Sequence, residues 1–403
     1  MKKILVVGGG TYQVPLIKRI QEKGNLVYCV DGNPNAPGFE FASEYKHLDV
    51  LDKDACLSYA REMGIEAVMT YGATLTLPTV AYIGEKMGLP ALPMKTAELS
   101  KNKYLIKSCL AENGCNTKGT FFRVTSVEEA EHHTYKFPCV IKPSDGSGSK
   151  GVSVVYNESE IKRALDHAFT NARYGEVYVE EFIPGDEYSV EVFVDNGKVY
   201  IYAIIKITIE KSGELNESIS YGHRTPSGLS NEIENLIGKE VTKAVVAMGV
   251  NLGSVNFDII LSKDDGKPYI IDCGVRVGQN LIASHLVPLS RGVSELDNAI
   301  ALALGETIDA TPKQQKCIAT RLLIYNPGRI IKIKPMSYLI GNDGIVDIVL
   351  RKGVGDTQNV FKEKSDICGW VVTEGSTPDE AERRAEMAKN RLKDYFVISP
   401  LQE

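Results

Sequence analysis

The first 90 residues alternate short apolar strands with helical segments, and this alternation limits the possible folds more than any other feature of the chain. An apolar run from Ile4 to Val7 ends at three consecutive glycines, which predicts a buried strand entering a tight turn. Further strands are predicted over 27–30 and 67–70, with helices over 54–63 and 76–88. Strands joined by helices through short connections form a parallel sheet with helices on both faces. The opening segment is therefore predicted to be a doubly wound parallel α/β domain.

The rest of the chain predicts a mixed fold of the α/β and α+β classes, because 403 residues exceed what one hydrophobic core supports. A single polar helix is predicted from Thr96 to Gly114, and a strand hairpin with a glycine-rich tip between residues 137 and 155. The predicted domains are the α/β domain (1–97), a smaller unit with the linker helix and the glycine-rich hairpin (98–182), a larger strand-rich unit (183–310) and a small α+β segment (311–403).

Composition excludes several classes of partner. Lys and Arg number 46 against 52 Asp and Glu, so a formal charge of −6 gives no general attraction to nucleic acids or anionic membranes. The eight cysteines are scattered without a C-x-x-C pair, and no run reaches the ~18 consecutive apolar residues of a membrane span. The opening MKKILVVGGG lacks the features of a signal peptide. We expect a cytoplasmic protein with reduced cysteines and with neither nucleic acid nor membrane as a partner.

The three glycines after the first strand, together with Asp31 at the end of the second, raise the possibility of a nucleotide site. Such a turn brings backbone N–H groups to a phosphate, and such an acid can hold a ribose. The dinucleotide pattern G-x-G-x-x-G fails, because Gln13 stands where its last glycine belongs. A plain tight turn or a substrate contact is therefore favoured over a dinucleotide-dependent dehydrogenase.

Lys142 ends an apolar strand and is followed by a loop rich in glycine and serine, residues 144–151. Exposed backbone N–H groups and the hydroxyls of Ser147 and Ser149 suit oxyanions. The loop joins strand to strand and contains no Walker A pattern. A buried lysine needs a partner, which favours a phosphate site with a mobile lid over an ordinary hairpin tip.

The segment from Glu180 to Glu187 is a strand that turns and enters a second strand. An extended linker between two lobes offers backbone groups and an apolar slot to a nucleotide base. The Glu180 carboxylate is a candidate acceptor for an exocyclic amine, and Glu187 for ribose hydroxyls. A solvated strand edge remains the alternative for paired glutamates before a turn.

Asp258 and Asp272 lie in two strands separated by a short turn. Antiparallel neighbours on one face can place two carboxylates close enough to share Mg²⁺, which prefers one or two carboxylates plus substrate phosphates. Arg276 follows in a glycine-rich loop, where it is suited to offset negative charge that grows during group transfer. Strand-end acids paired with nearby lysines are the alternative.

Taken in order, Lys103, FPCVIKP with its Gly/Ser loop, VEEFIPGDE, GSVNFDIIL and YIIDCGVRVGQN resemble the ATP-grasp superfamily of carboxylate-amine ligases. The resemblance implies an ATP-grasp domain of two lobes and an ADP-forming ligase that joins a carboxylate to an amine. It implies ATP and Mg²⁺ as cofactors, with Mn²⁺ as the alternative ion, and a homodimer is compatible with it. The implied residue roles are phosphate contacts from Lys103 and Lys142, adenine contacts from Glu180, Glu181, Phe182 and Ile183, a ribose contact from Glu187, and Mg²⁺ ligation by Asp258 and Asp272.

The chain departs from the family's common Glu-x-Asn-x-Arg string at two positions, because Asp272 replaces the glutamate and Gly274 replaces the asparagine. Either Gln279 or Asn280 is a candidate to compensate. The alternatives are phosphoribosylglycinamide synthetase or another purine-pathway ligase, and a nucleotide-binding regulatory protein without turnover. Small-molecule specificity is expected from the cleft between the first domain and the metal site, for which we name Tyr12, Gln13, Tyr71 and His223 beside Arg276.

Overall fold

The computed structural model describes residues 1–146, 148, 150–212, 217–361 and 366–400, with the backbone alone for 210–212 and 217–219. Ser147 and Ser149, both predicted to contact ATP, lie outside the described residues. Among the described residues, no helix combines the length and apolar character that a membrane crossing requires.

The N-terminal domain is a parallel sheet of four strands in the order β3-β2-β1-β4. Alternate residues of the first strand enter two different cores, Ile4 and Val6 on one face and Leu5 and Val7 on the other, so both faces are covered as predicted. The elements are β1 (Lys3–Val7), α1 (Val14–Glu22), β2 (Leu26–Asp31), β3 (Glu44–His47), α2 (Lys53–Met63), β4 (Ala67–Met69) and α3 (Leu77–Met87). The sequence does not predict β3, because its four residues are polar and exposed at the sheet edge.

The linker contains two helices, α4 (Met94–Leu99) and α5 (Lys103–Glu112), so the single helix predicted from Thr96 to Gly114 is wrong. Asn102 is extended, and its side chain accepts a hydrogen bond of 2.9 Å from the Leu105 N–H, which starts a new helix. Thr96 lies inside α4 and donates its hydroxyl to the Met248 carbonyl at 3.0 Å. The break places Lys103 in the first turn of α5.

The small lobe is an antiparallel sheet in the order β5-β8-β6-β7 with α7 packed against it. Its elements are β5 (Phe121–Val124), α6 (Val127–Ala130), β6 (Cys139–Pro143), β7 (Ser153–Val155), α7 (Ile161–Asn171) and β8 (Val177–Glu181). Strands β6 and β7 form the predicted hairpin, with Cys139 opposite Val155.

The large lobe is built on an antiparallel sheet of eight strands, in the order β13-β12-β9-β10-β11-β14-β18-β16. Its elements up to residue 303 are β9 (Gly185–Asp195), β10 (Lys198–Ser212), β11 (Glu217–Thr225), α8 (Asn231–Ala247), β12 (Gly253–Ser262), β13 (Pro268–Gly274), α9 (Val287–Arg291) and α10 (Glu295–Ala303). One face packs on α5 and α8, whose Ile106 and Val241 share a core with Val190 of β9.

The C-terminal segment contributes three strands to the same large sheet. Its elements are β14 (Cys317–Leu323), β15 (Gly328–Ile333), β16 (Ile345–Leu350), β17 (Thr357–Gln358), β18 (Gly369–Gly375), α11 (Pro378–Leu392) and β19 (Phe396–Ser399). Strand β14 pairs directly with β11, so the sheet continues across the predicted boundary at residue 310. A second sheet of three strands, β17-β15-β19, lies within this segment. The predicted fold class is confirmed, with an N-terminal parallel domain, a two-lobed central part and a C-terminal α+β segment.

Candidate active site

Asp258 and Asp272 are direct neighbours across β12 and β13. Paired residues of antiparallel strands project from the same face, with their Cβ atoms about 5 Å apart. A bulge follows immediately, between Asp258 and Ile259. Two carboxylates on one face suit a hard divalent cation whose other ligands come from phosphates and water. No cluster of three potential metal ligands occurs within the part of the chain that the structure describes, so the chain itself would supply two ligands at most from such groups.

The negative charge of this acidic pair affects Glu187, which lies near the start of β9 on the same face of the sheet. Burial, and secondly the negative charge of Asp258, raise the pKa of Glu187 to about 7. A cation held by the two aspartates would relieve this repulsion. The residues present therefore fit the divalent ion that the resemblance implies.

Lys103 reaches the acidic pair from α5 and forms an ion pair with the Asp272 carboxylate. Burial favours the neutral form of Asp272, but Lys103 and Lys142 outweigh it and lower the pKa of that carboxyl. Asp272 is thus ionised and paired with Lys103, and a metal ion bound to this carboxylate would take the place of the lysine ammonium. The Lys103 backbone N–H also donates to the Ser144 carbonyl at 2.7 Å, which ties the start of α5 to the root of the glycine-rich loop.

Lys142, at the end of β6, meets the Glu180 carboxylate at 2.6 Å and donates to the Ile271 carbonyl at 3.0 Å. The second Glu180 oxygen lies 3.1 Å from Lys107, and the Tyr178 hydroxyl also donates to this carboxylate. Burial opposes ionisation of Glu180, yet the two lysines lower its pKa to about 2. The Glu180 carboxylate is therefore shared by two lysines. Its contact with adenine stays a prediction, and for that contact to form one of the lysines would have to give up its ion pair with Glu180.

The sequence analysis does not name Lys107 as a site residue, although its spacing from Lys103 points to such a role. It follows Lys103 by one helical turn and therefore lies on the same face of α5. Its side chain is only 5% exposed, which marks it as a partner of a buried acid. The helix thus carries two lysines toward the site, one to Asp272 and one to Glu180.

The predicted adenine linker follows β8. The Phe182 N–H donates to the Pro138 carbonyl at 3.0 Å, and Glu181 pairs with Lys136 at 2.9 Å. Ile183 is buried in a small apolar cluster with Ile260 and Tyr269. This apolar group beside an extended backbone matches what a nucleotide base requires, and the adenine assignment to residues 180–183 stays a prediction.

Arg276 lies across the end of β13. Its guanidinium donates to the Val277 carbonyl at 2.8 Å. A Cβ atom added to Gly274 would lie only 3.2 Å from the Arg276 guanidinium carbon, so this arginine fills the space that a side chain at 274 would use. Glycine at 274 lets the Arg276 side chain lie close against the end of β13, whereas the family's string carries the same arginine together with the asparagine.

The loop after Arg276 joins the large lobe to the N-terminal domain. The Gln279 amide donates to the Gly72 carbonyl at 2.8 Å, and the Gln13 amide donates to the Tyr71 carbonyl. The Gln279 amide is therefore bound to the N-terminal domain. The sequence made this residue a candidate to compensate for the missing asparagine at the metal site. Asn280 and Leu281 follow with φ of 57° and 66°, a left-handed conformation that is strained for leucine.

The four candidate substrate residues do not form one group. Gln13 is buried and Tyr12 is exposed, and both lie with Tyr71 at the edge of the N-terminal sheet that faces the Gln279 loop. His223 is buried on β11, the third strand from β12 in the large sheet. Its ring lies 3.2 Å from the Ser220 hydroxyl. His223 therefore lies in the large sheet, with β9 and β10 between its strand and the one that carries Asp258, whereas the other three residues lie in the N-terminal domain.

Comparisons with known proteins agree with this arrangement. Residues 135–284 match the ATP-grasp domain, and residues 321–394 match the L-amino acid ligase C-terminal domain 2. A formate-dependent phosphoribosylglycinamide formyltransferase from Bacteroides thetaiotaomicron is 28% identical over 274 residues, which are 66% of this chain and 68% of the relative.

Two solved structures share the whole architecture. An L-amino acid ligase from Bacillus licheniformis superposes with a TM-score of 0.82 at 22% identity, covering 100% of this chain and 99% of that one. A phosphoribosylglycinamide synthetase from Anaerococcus prevotii gives 0.77 at 23% identity, covering 99% and 100%. At these identities the likeness shows the fold, while the two matches identify two domains of the chain. The chain contains an ATP-grasp domain and an L-amino acid ligase C-terminal domain 2, which is consistent with a carboxylate-amine ligase of the ATP-grasp superfamily.

Proposed function

We propose that the protein uses ATP to join a small carboxylate to an amine through an acyl phosphate, releasing ADP and phosphate. The observation that carries this proposal is the meeting of two neighbouring aspartates with one lysine from the linker helix, one lysine from the small lobe and an arginine just after the end of β13. ATP would lie at the junction of the β6–β7 hairpin and the linker that follows β8.

In the first step a carboxylate oxygen of the substrate attacks the γ-phosphorus of ATP, and the bond to ADP breaks. In the second step the amine attacks the acyl carbon, phosphate leaves, and the amine loses a proton. Neither step requires a protein nucleophile, so the chain contributes positioning and charge.

Each charged residue has a role in this scheme. Lys103 and Lys142 would contact the phosphates, and Arg276 would stabilise charge on the transferring group. Asp258 and Asp272 would hold Mg²⁺, with Mn²⁺ as the alternative, and the ion would neutralise charge on the phosphates. The homodimer and the cytoplasmic location stay predictions.

The test is a phosphate-release screen of purified protein with ATP and Mg²⁺. A matrix of amino acids against amines forms the main part, and phosphoribosylamine with glycine represents the phosphoribosylglycinamide synthetase alternative. We expect release that depends on both a carboxylate and an amine. A protein that binds ATP but releases no phosphate with any pair would instead support the nucleotide-binding regulatory alternative.

A further inference from the structure

A cavity of about 100 Å³ lies where the N-terminal domain, the linker and the large lobe meet. Most of its wall is apolar and comes from six separate segments of the chain. Representative lining residues are Val68 of β4, Leu77 of α3, Leu92 of the linker, Val275 after β13, and Ala299 and Leu302 of α10. A cavity of about 150 Å³ with such walls is large enough for benzene, so this one suits a smaller aliphatic group.

One end of the cavity is polar and adjoins the proposed catalytic centre. Arg276 and Tyr71 line this end, and the Arg276 guanidinium lies over Gly274, two residues beyond Asp272. A molecule with its carboxylate at Arg276 can therefore extend its side chain into the apolar part. The cavity is placed as a side pocket of the reaction centre.

The cavity wall also includes a polar group. The Ser254 hydroxyl lines the cavity, and this residue is 8% exposed. Glu295, one helical turn before Ala299 on α10, is fully buried, and its carboxyl contacts the Ser254 hydroxyl and the Glu191 carboxyl. A hydroxyl that donates to a carboxyl keeps lone pairs that can accept, so an amine on the bound molecule can donate to Ser254.

Glu295 lies next to Glu191 of β9, which accepts from the Gly278 N–H at 2.8 Å. Burial, and then the Glu191 charge, raise the pKa of Glu295 well above its ordinary range. The pair therefore retains a proton near neutral pH, and its remaining negative charge favours a cationic neighbour.

We propose, on the basis of the function proposed above, that this cavity is the side-chain subsite for the carboxylate substrate and selects an α-amino acid with a compact aliphatic side chain. The carboxylate lies at Arg276, the α-amine at Ser254, and the side chain between α3 and α10. Ala299 and Leu302 set the size limit.

The test uses hydroxylamine as a general amine, because it traps an acyl phosphate as a hydroxamate whatever the natural amine is. Wild-type protein with ATP and Mg²⁺ is given glycine, alanine, valine, leucine, phenylalanine and glutamate. We expect kcat/KM to be highest for valine or leucine. Isovalerate and 2-hydroxyisovalerate, which keep the valine side chain but lack its amine, should react more slowly than valine.

Ala299→Leu fills the cavity and should lower kcat/KM for valine and leucine by roughly 10- to 200-fold while leaving the glycine value near wild type. Ala301→Leu is the matched control, since Ala301 is on the same helix outside the cavity lining, and it should leave the preference unchanged. Leu302→Ala should shift the preference toward phenylalanine. Calorimetric binding of ATP and the melting temperature show whether each variant remains folded.

Two failures are distinguishable. The cavity is not the subsite if the wild type activates carboxylates but prefers phenylalanine or glutamate. The same conclusion holds if Ala299→Leu and Ala301→Leu change kcat/KM for every amino acid by the same factor. If folded protein binds ATP yet activates none of the carboxylates, the proposed function itself fails and the subsite with it.

Discussion

Asp272 occupies the position on which a metal-dependent reaction most depends. Asp272→Asn keeps the shape but removes a negative charge and an acceptor oxygen beside Asp258. We expect turnover to fall by on the order of 100-fold or more, because the ion that neutralises the transferring phosphate would be lost or displaced. ATP turnover and melting temperature should be measured on the same preparation.

Asp195→Asn is the matched control, since Asp195 lies at the far end of β9. It should leave turnover unchanged. Near-normal turnover of Asp272→Asn with a lowered melting temperature would make Asp272 a structural acid and would contradict the metal assignment.

Lys107 is predicted to hold Glu180 in its ionised form. Lys107→Met leaves part of a buried charge uncompensated and should lower the free energy of unfolding by about 3 kcal/mol. The exposed pair of Lys101 with Glu98 offers a control, and Lys101→Met should cost less than about 1 kcal/mol. Urea unfolding of the two variants measures both effects.

The pH dependence gives this prediction a sign. The pKa of Glu180 is lowered to about 2 from an ordinary 4.5, so its contribution to stability is complete above about pH 4.5 and is lost as the pH falls toward 2. The difference in unfolding free energy between wild type and Lys107→Met should therefore shrink over this range. A difference that is constant from pH 7 to pH 3 would show that Lys107 does not act through Glu180.

At the level of elements, the glycine-rich loop depends on its roots as well as on its tip. Gly151 has a φ of 76°, and a Cβ atom there would lie 2.8 Å from both Pro143 and Asn171. Gly148 has a φ of 67°, and none of the described residues lies within 4 Å of such an atom. Gly151→Ala should therefore weaken ATP binding about tenfold more than Gly148→Ala, a difference of about 1.4 kcal/mol.

Calorimetric titration of both variants with ATP measures the effect of each glycine on affinity. Hydrogen exchange of residues 145–151 with and without ATP tests the predicted lid. Closure should slow exchange when ATP is present. Equal affinities of the two variants would mean that the root at Gly151 is not held by β6 and α7, and equal exchange in both states would count against a lid.

The elements that the sequence revealed best were those with a strong period. The strands of the N-terminal sheet and the β6–β7 hairpin followed from apolar runs between glycines and prolines. The edge strand Glu44–His47 has no apolar face, and the break at Asn102 depends on one capping side chain within an otherwise helical pattern. Local pattern therefore identified the core elements and missed those defined by a single hydrogen bond or an edge pairing.

At the scale of the site, the sequence identified the aspartate pair because strand neighbours follow from a short turn. It did not reveal that Lys107 meets Glu180, since the two are 73 residues apart and lie in different parts of the fold. The Glu191–Glu295 contact and the cavity were equally hidden, because both depend on how α10 packs against the N-terminal domain and the large sheet.

On the scale of the whole molecule, the large lobe and the C-terminal segment share one sheet, so we expect them to fold together. Arg321 of β14 pairs with Glu382 of α11 at 2.6 Å, and Ile318 shares a core with Phe193 of β9. A variant ending at residue 310 would expose the β11 edge and this core. It should be insoluble or lack a cooperative melting transition.

A variant ending at residue 395 is the control, because it removes β19 from the small sheet and leaves the eight-stranded sheet complete. Soluble yield and thermal melting by circular dichroism compare the two truncations. A soluble 1–310 fragment that binds ATP would show that the C-terminal segment is an independent unit.

The contact between Gly274 and Arg276 shows how this site can change over generations. A Cβ atom at position 274 would lie 3.2 Å from the carbon at the end of the flexible Arg276 side chain, so the arginine would need to shift by only a few tenths of an ångström. Position 274 can therefore gain a side chain while the arginine is kept. Related enzymes are expected to vary at position 274 and to share the arginine.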